Sequence, residues 1–297
     1  MNLPKGGIAF FDSGIGGMTV LAACQSILND ELFYYYGDNI HAPYGNLPPK
    51  QIREYVFDAF EKFRALDVKA AVVACNTATA VCIEELRRTF DFPILGAEPA
   101  IRLAARAGGR VLVLTTQATY KSQRYQTLLT ETRIAYPKVE LVTAPCERLA
   151  YEIEKNIKNA TFDYTPFLPR QKADGVVLGC THYVYIEAQI AAYYACPVYH
   201  GNGGIARRLY TLLRGNRDGR PPDVFELKNL GFSTTIFPQN PLGKEADKKA
   251  NKRLYQTPLN PLKNQGKGEV VFLGESAENN EKIYKQTYVR KQDGFLG

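Results

Sequence analysis

The chain has 297 residues, 45% of them apolar, and a formal net charge of +7 at pH 7. This length suffices for about two domains, each with a buried core. No run of 18 apolar residues occurs and Asp12 interrupts the first apolar stretch, so the sequence predicts neither a membrane span nor a signal peptide and favours a soluble, cytoplasmic protein.

Short apolar strands alternate with helical segments along the chain. Continuous apolar strands in this alternation are typical of a parallel sheet covered by helices on both faces. The sequence therefore predicts an α/β protein with doubly wound, mostly parallel sheets, and it places the chemistry just after the strands. The predicted strands are GGIAFFD, ELFYYYGD, VKAAVVAC, FPILG, RVLVLTT, VELVTAP, DGVVLGC and CPVYHG.

The first strand leads into a glycine-rich turn within AFFDSGIGGMTVL, residues 9–21. The pattern of this turn does not match the dinucleotide motif G-x-G-x-x-G, because Thr19 stands at the third glycine position. The G-K-[ST] of a P-loop is also absent. Asp12 would also repel a phosphate. We expect backbone N–H groups and Ser13 to hold a smaller anion such as a carboxylate, with Asp12 facing an ammonium or a proton-carrying group. The alternative is a strand-to-helix connection without a ligand.

Two later stretches resemble each other: VVACNTATA at 72–80 and VVLGCTHYV at 176–184. Each has a Val-Val strand, a cysteine and polar residues that open a helix. The DSG turn and the TTQAT turn form a second such pair, and in each half of the chain the turn comes before the cysteine. The chain is therefore interpreted as two related halves about a pseudo-twofold axis, with Cys75 and Cys180 facing each other across one cleft.

These two cysteines differ from the other four. Because a cytoplasmic compartment is reducing and no C-x-x-C pair occurs, the thiols are expected to be free. Cys75 and Cys180 stand in equivalent places before predicted helices, and a helix N-terminus lowers the pKa of a thiol. The remaining cysteines are expected to be small core residues: Cys24, Cys82, Cys146 and Cys196.

Three kinds of chemistry compete for this cysteine pattern. A zinc site would have only Cys180 and His182 close in sequence, without finger spacing. A papain-like nucleophile would leave the second cysteine unexplained. Two facing thiols can instead remove a proton from one face of a carbon and return one to the other face, which inverts a stereocentre without a metal or a cofactor.

The stretch after about residue 240 is basic, with eleven Lys/Arg and seven Asp/Glu in residues 241–297. Its Lys-, Asn- and Pro-rich composition shows no core-forming periodicity, which favours a solvated surface segment that is dispensable for chemistry. Nucleic-acid contact through this charge is the less favoured interpretation, because no reading motif accompanies it.

Six motifs together identify a family resemblance: FDSGIGG, GDNIHAPYG, ACNTATA, GAEPA, LTTQATYKSQRY and GVVLGCTHY. In this order, over residues 7–215, they resemble the glutamate racemases, cofactor-independent bacterial enzymes that make D-glutamate for peptidoglycan. The resemblance implies two similar α/β domains with the active site between them. One would comprise residues 1–97 and 208–297, and the other residues 98–207.

The resemblance also implies roles for individual residues. Cys75 and Cys180 correspond to the two acid/base groups, and Asp12 and His182 to auxiliary groups that also contact the substrate. Glu152 corresponds to an acid that supports His182, although an exposed helix position would explain it equally. The other implied substrate contacts are Ser13, Tyr44, Gly45, Asn76, Thr77, Thr116, Thr119 and Thr181. No cofactor, no metal and a homodimer are expected.

Two departures from the family pattern and three alternatives stay open. HGNGG at residues 200–204 replaces a second DSG turn of the family, and the Lys- and Asn-rich ending after about residue 240 matches none of its motifs. His41 has no assigned role. The alternatives are a non-catalytic module that binds an acidic amino acid, an aspartate racemase, and a nucleic-acid or gyrase contact made by the basic tail alongside catalysis.

Overall fold

The computed structural model describes residues 6–215, 269–274 and 276–288. Within these ranges the strands form one five-stranded and one four-stranded sheet, and the neighbouring strands pair in parallel. The strands are β1 (Ile8–Asp12), β2 (Phe33–Gly37), β3 (Ala70–Val73), β4 (Ile94–Gly96), β5 (Arg110–Thr115), β6 (Glu140–Pro145), β7 (Gly175–Gly179), β8 (Val198–Tyr199) and β9 (Val270–Leu273).

The two sheets share one topology, which confirms the predicted fold class. The first has the order β4-β3-β1-β2-β9 and the second β6-β5-β7-β8. Apart from β9, each sheet places its first strand between its second and third. In such an order the ligand crevice lies between the first and third strands, at their carboxyl ends. These ends belong to β1 and β3 in one sheet, and to β5 and β7 in the other.

Helices cover the sheets, which explains why strands such as β1, β3 and β7 are buried along their whole length. The helices are α1 (Met18–Gln25), α2 (Pro49–Ala65), α3 (Asn76–Thr89), α4 (Ile101–Ala105), α5 (Gln117–Lys121), α6 (Gln123–Ala135), α7 (Leu149–Asn156), α8 (Glu187–Tyr194), α9 (Asn202–Arg214) and α10 (Ala277–Tyr288). Among the described helices, none is both long and apolar enough to cross a membrane.

The end of the chain corrects one expectation from the sequence. β9 pairs with β2 at the edge of the first sheet, from Phe33 opposite Val270 to Tyr36 opposite Leu273. Ile283 and Tyr284 of α10 are buried in the core. The expectation that the stretch after 240 lacks a core-forming pattern is therefore wrong for β9 and α10. Its part from 241 to 268 lies outside the described residues, and the boundaries expected at 97 and 208 stay a prediction.

Candidate active site

The equivalent strand ends bring both halves of the chain to one buried site. Asp12 ends β1, Cys75 follows β3, Thr116 follows β5 and Cys180 follows β7. Each of these residues is at most 7% exposed. Thr181 donates from Oγ1 to Asp12 Oδ2 at 3.0 Å, so a hydrogen bond links the two sheets at this point.

The glycine-rich turn is held by the protein's own carboxylates. The N–H of Gly14 donates to Asp12 Oδ1, and the N–H of Ile15 donates to Glu154 Oε1, both at 2.9 Å. The expectation that the turn offers its backbone N–H groups to a ligand carboxylate is therefore wrong for these two groups. One of the anions that the turn binds is Glu154, which belongs to the other half of the chain.

The glycines of this turn allow close contact across the cleft. A Cβ on Gly14 would lie 1.9 Å from Glu154 Oε1, and one on Gly16 would lie 2.4 Å from Thr181 Oγ1. A Cβ on Gly17 would lie 2.5 Å from that of Asp12. Real side chains do not approach so closely, so a larger residue would have to displace Glu154, Thr181 or Asp12.

Cys75 is the N-cap residue of α3. Its Sγ accepts from the N–H of Ala78 at 3.4 Å and donates to Ser13 Oγ at 3.5 Å. Burial raises the pKa of Cys75 to about 12, and the negative charges of Asp12 and Cys180 add to this, whereas the two hydrogen bonds oppose it. The expected lowering by the helix N-terminus is present but smaller than the effect of burial, so the predicted low pKa is wrong.

Cys180 differs from Cys75 in its surroundings. It precedes a 3₁₀ turn, Thr181–Ile186, and makes no side-chain capping bond, so the expected place at an α-helix N-terminus is wrong. Its Sγ lies 3.7 Å from His182 Nδ1. The two thiols therefore have unlike partners, a hydroxyl and a helix start for one and an imidazole for the other.

His182 is fully buried between Cys180 and a carboxylate. Its Nε2 lies 2.6 Å from Glu154 Oε1. Burial lowers the pKa of His182, but the hydrogen bonds with Cys180 and Glu154, together with their charges, raise it well above its ordinary value. This arrangement favours an imidazolium beside the Cys180 sulfur.

The acid that supports His182 is Glu154, and the assignment to Glu152 is wrong. Glu152 accepts from Arg148 Nη2 at 2.6 Å and from Asn156 Nδ2 at 3.3 Å. Residues two apart on an α-helix point in directions about 200° apart, so only one of the two glutamates can face the cleft. Both lie in the stretch APCERLAYEIE, residues 144–154, and the phase of α7 decides between them.

Asp12 is a buried carboxylate with hydrogen bonds to both of its oxygens. Burial raises the pKa of Asp12, whereas the charge of His182 and the bonds from Gly14, Thr181 and Gly17 lower it. Because burial is the largest of these effects, Asp12 holds a proton more readily than an exposed aspartate. It can therefore act as a proton-carrying neighbour of the thiols.

Three predicted substrate threonines meet between the halves. Thr77 Oγ1 lies 2.9 Å from Thr116 Oγ1 and 3.2 Å from Thr119 Oγ1. A Cβ on Gly45 would lie 2.9 Å from that of Thr116, so this glycine packs on the same cluster. Hydroxyl groups at the starts of α3 and α5 can bind a carboxylate without a cationic side chain.

Asn76 offers a free polar group to the cleft. It is 8% exposed, and its Oδ1 has no hydrogen-bond partner among the described residues. Together with Cys180 and Thr181 it lines a small cavity that extends to the start of α9. A buried unpaired amide oxygen is an acceptor suited to a ligand ammonium group.

The side chain of Tyr44 is held by contacts within the protein. Its ring packs on Phe11, and its hydroxyl donates to Asp38 Oδ2 at 2.5 Å. His41 Nδ1 lies 2.9 Å from the same carboxylate, and the imidazole stacks on Tyr55 at 3.8 Å. Asp38 thus holds both Tyr44 and His41 of this loop, and the predicted contact between Tyr44 and a substrate stays a prediction.

The remaining cysteines fit the expected core role in part. All six thiols are free; Cys24, Cys82 and Cys146 are buried, whereas Cys196 is half-buried. Within 6–215, 269–274 and 276–288, no three His, Cys, Asp or Glu side chains cluster as metal ligands. The functional candidates that sequence reasoning missed are Asp38, within the motif GDNIHAPYG, and Glu154, two residues after Glu152.

Residues 22–209 match the model of the Asp/Glu/hydantoin racemase family. Among curated relatives, glutamate racemase 2 of Bacillus subtilis is 36% identical over 217 residues, which cover 69% of this chain and 81% of the relative. A glutamate racemase of Clostridium botulinum is 34% identical over 249 residues, which cover 80% of this chain and 93% of the relative.

Solved structures give the same result. Escherichia coli glutamate racemase, crystallised with L-glutamate and the activator UDP-MurNAc-Ala, superposes with a TM-score of 0.62 at 28% identity and covers 74% of this chain and 85% of its own. The RacE1 isoform from Bacillus anthracis superposes with a TM-score of 0.61 at 27% identity and covers 74% of this chain and 87% of its own.

Proposed function

Because the chain belongs to the Asp/Glu/hydantoin racemase family, we propose that it interconverts L- and D-glutamate by proton transfer between two cysteines. Its similarity to glutamate racemases in sequence and structure makes it an amino-acid racemase of the glutamate type. The cysteine mechanism and the biological role that we propose go beyond this similarity.

The observation that carries the mechanism is the equivalence of Cys75 and Cys180. They follow β3 and β7, which hold the same place in two sheets of the same order. A charge on Cys180 raises the pKa of Cys75, so the two thiols lie within electrostatic range of each other. A binding module would need polar contacts in the cleft, but it would have no use for two matched thiols.

The proton balance of the reaction closes without another reactant. One cysteine, as thiolate, takes the α-proton of glutamate, and the electron pair of the C–H bond stays on the substrate as a carbanion. The other cysteine, as thiol, gives its proton to the opposite face of that carbon. The two cysteines have then exchanged protonation states, and proton exchange with solvent resets them.

The unlike surroundings of the thiols give each a helper group. For Cys180 the helper is His182, held by Glu154, and the imidazolium stabilises the thiolate. For Cys75 the helpers are Ser13 and Asp12, and Asp12 binds a proton more readily than an exposed aspartate. Asp12 in its ionised form can accept the proton of Cys75, whereas the imidazolium of His182 already carries both of its protons.

The polar groups around the cysteines suit an amino acid with two carboxylates. Thr77, Thr116 and Thr119 supply hydroxyl groups for one carboxylate, and Asn76 supplies an acceptor for the ammonium group. The main chain at Tyr44 and Gly45 lies on the same side of the cleft as these threonines. Hydroxyl groups and backbone N–H groups can hold these carboxylates without a further cationic side chain.

The activity is tested by incubating the purified protein with L-glutamate in D₂O without added cofactor. Circular dichroism then follows racemisation, and proton NMR follows loss of the α-proton signal. We expect both enantiomers to appear with deuterium at the α-carbon. Racemisation of L-aspartate at an equal or higher kcat/KM would instead favour the aspartate branch, and tight binding without turnover would favour a binding module.

The biological role that we propose is the supply of D-glutamate for peptidoglycan in the cytoplasm. The test is growth of a bacterial strain that requires D-glutamate. The chain should restore growth without the supplement, and a double Cys75→Ala/Cys180→Ala variant should not. The homodimer implied by the family resemblance stays a prediction, which light scattering would measure.

A further inference from the structure

The C-terminal helix reaches the catalytic edge of the first sheet through one side chain. Asn280 of α10 is fully buried, and its Nδ2 donates to the carbonyl oxygen of Gly37 at 3.1 Å. Gly37 is the last residue of β2 and stands opposite Asp12 in the register of the sheet. A segment remote in sequence therefore contacts the strand end beside the candidate site.

This bond holds one end of a peptide unit whose other end holds Asp12. The carbonyl of Gly37 and the N–H of Asp38 belong to the same peptide group. The N–H of Asp38 donates to the carbonyl oxygen of Asp12 at 3.0 Å. The planar peptide is thus fixed from two directions, by the amide of Asn280 and by the backbone of Asp12.

Gly37 is also the point where Asn280 and the glycine-rich turn converge. A Cβ on Gly37 would lie 2.5 Å from the carbonyl oxygen of Gly14 and 2.7 Å from Asn280 Nδ2. Tyr35 donates from its hydroxyl to that same Gly14 oxygen at 2.7 Å. A shift of the Gly37 peptide would therefore move the turn that carries Asp12 and Ser13.

The same peptide leads into the loop that carries Tyr44. Asp38 follows it directly and binds the hydroxyl of Tyr44 through its carboxylate. Tyr44 packs in the same buried cluster as Cys75. The Tyr44 loop thus lies beside Cys75, whereas Asp12 contacts both sides of the cleft, because it also accepts from Thr181 and is affected by the charge of His182.

The chemistry of Asn280 favours a role beyond packing. Its Oδ1 is buried and has no hydrogen-bond partner among the described residues. A buried acceptor without a partner is unfavourable, and a leucine of similar size would avoid that cost. The amide therefore brings one benefit at this position, which is the donor that it presents to Gly37.

We propose that Asn280 is a positioning residue of the racemase site, which holds the Gly37 carbonyl and thereby sets Asp12 and the Tyr44 loop, the latter beside Cys75. This inference rests on the proposed two-cysteine reaction. It makes α10 a part of the active architecture, whereas the sequence alone favoured a dispensable tail.

The test compares Asn280→Leu with Tyr284→Phe in the full chain. Tyr284 lies one turn further along α10 and donates to Gln25, so its variant loosens the same helix without touching Gly37. We expect Asn280→Leu to lower kcat for glutamate at least about tenfold, because small displacements of catalytic groups are costly. Tyr284→Phe should keep kcat within about twofold of the wild-type value, while its unfolding midpoint should be equal to or lower than that of the wild type.

A second measurement separates positioning from general loosening. Asn280→Leu is combined with Cys180→Ala and, separately, with Cys75→Ala, and α-hydrogen exchange of each enantiomer is measured in D₂O. The proposal requires slower exchange where Cys75 remains and a smaller slowing where Cys180 remains, because Asp12 contacts both sides of the cleft and the Tyr44 loop lies beside Cys75. Equal slowing in both backgrounds, or an unchanged kcat in Asn280→Leu, would overturn it.

If Asn280→Leu does not fold, Asn280→Gln takes its place, because it keeps an amide and moves it by one methylene group. The proposal then requires a fall in kcat of at least about threefold at a wild-type unfolding midpoint, and a wild-type kcat overturns it. Absence of racemisation in the unaltered chain would instead contradict the proposed function itself, which distinguishes the two failures.

Discussion

Glu154 Oε1 lies 2.6 Å from His182 Nε2 and 2.9 Å from the N–H of Ile15. One carboxylate oxygen of α7 therefore holds both the imidazole beside Cys180 and the glycine-rich turn beside Cys75. A second oxygen of Glu154 accepts from Asn39 Nδ2 at 3.3 Å. Glu154 thus contacts groups beside each of the two thiols, so its loss should disturb the surroundings of both cysteines.

Glu154→Gln should lower kcat at least about tenfold, because it removes the charge that keeps His182 protonated. Glu152→Gln is the matched control, two residues away on α7 and paired with Arg148, and it should change kcat less than about twofold. Without the carboxylate the pKa of His182 falls, so the alkaline decline of kcat should move to lower pH. An unchanged alkaline decline in Glu154→Gln would contradict this role.

Gly14→Ala should impair catalysis with little loss of folded protein. Its Cβ would lie 1.9 Å from Glu154 Oε1 and 3.1 Å from His182 Nε2, so the glutamate side chain must move away from the imidazole. Gly204→Ala is the control, because a Cβ there meets nothing within 4 Å. We expect kcat to fall at least about tenfold in Gly14→Ala and to stay unchanged in the control. Equal kcat values would show that Glu154 relaxes without consequence.

Protonation of His182 should contribute to stability over a defined pH range. Its pKa in the folded chain is raised, and the unfolded value is about 6.5. The contribution is therefore complete below about pH 6.5 and is lost as the pH rises through the folded-state pKa. Chemical unfolding of the wild type and of His182→Asn at several pH values measures it. The difference in unfolding free energy between them should shrink with rising pH; a difference independent of pH would contradict the charged state.

The thiol of Cys75 should resist alkylation in the absence of substrate. A pKa of about 12 leaves only about one thiolate in 10⁴ molecules at pH 8, against about one in ten for an ordinary thiol. Iodoacetamide labelling followed by peptide mass spectrometry measures the rate at Cys75. Asp12→Asn should accelerate it, because the charge of Asp12 is one cause of the raised pKa. A labelling rate that levels off near pH 9 in the wild type would rule out the raised pKa.

The sequence was sufficient for the parts of the site that repeat. Val-Val strands followed by cysteine predicted the topology, because a buried parallel strand has no polar face and its chemistry comes after its end. Cys75, Cys180, Asp12 and His182 accordingly lie together. The threonine cluster also follows strand ends, and its residues lie in two motifs that carry the family resemblance, ACNTATA and LTTQATYKSQRY.

The parts that sequence reasoning missed depend on geometry between distant residues. Glu152 and Glu154 share a motif, and only the orientation of α7 shows which one meets His182. The pKa of Cys75 depends on its burial, which outweighs the helix N-terminus that the pattern indicates. In α10 the buried residues Asn280, Ile283 and Tyr284 do have helical spacing, but an asparagine stands among them in a strongly polar stretch.

The two cysteines allow the sharpest test, because each should act on one face of the substrate. Cys75→Ala removes the base for one enantiomer and the acid for the other, so racemisation should stop in both directions, and Cys180→Ala should have the same effect. The thiolate that remains can still take the α-proton from the enantiomer it faces and return a solvent-derived proton to the same side. In D₂O each variant should therefore exchange the α-hydrogen of a single enantiomer without inversion, and the two variants should choose opposite enantiomers.

Cys146→Ala, which alters a buried thiol near Cys180, serves as the control and should racemise normally. Racemisation in either active-site variant would refute the two-base mechanism, whereas exchange of the same enantiomer by both would show that Cys75 and Cys180 do not lie on opposite faces.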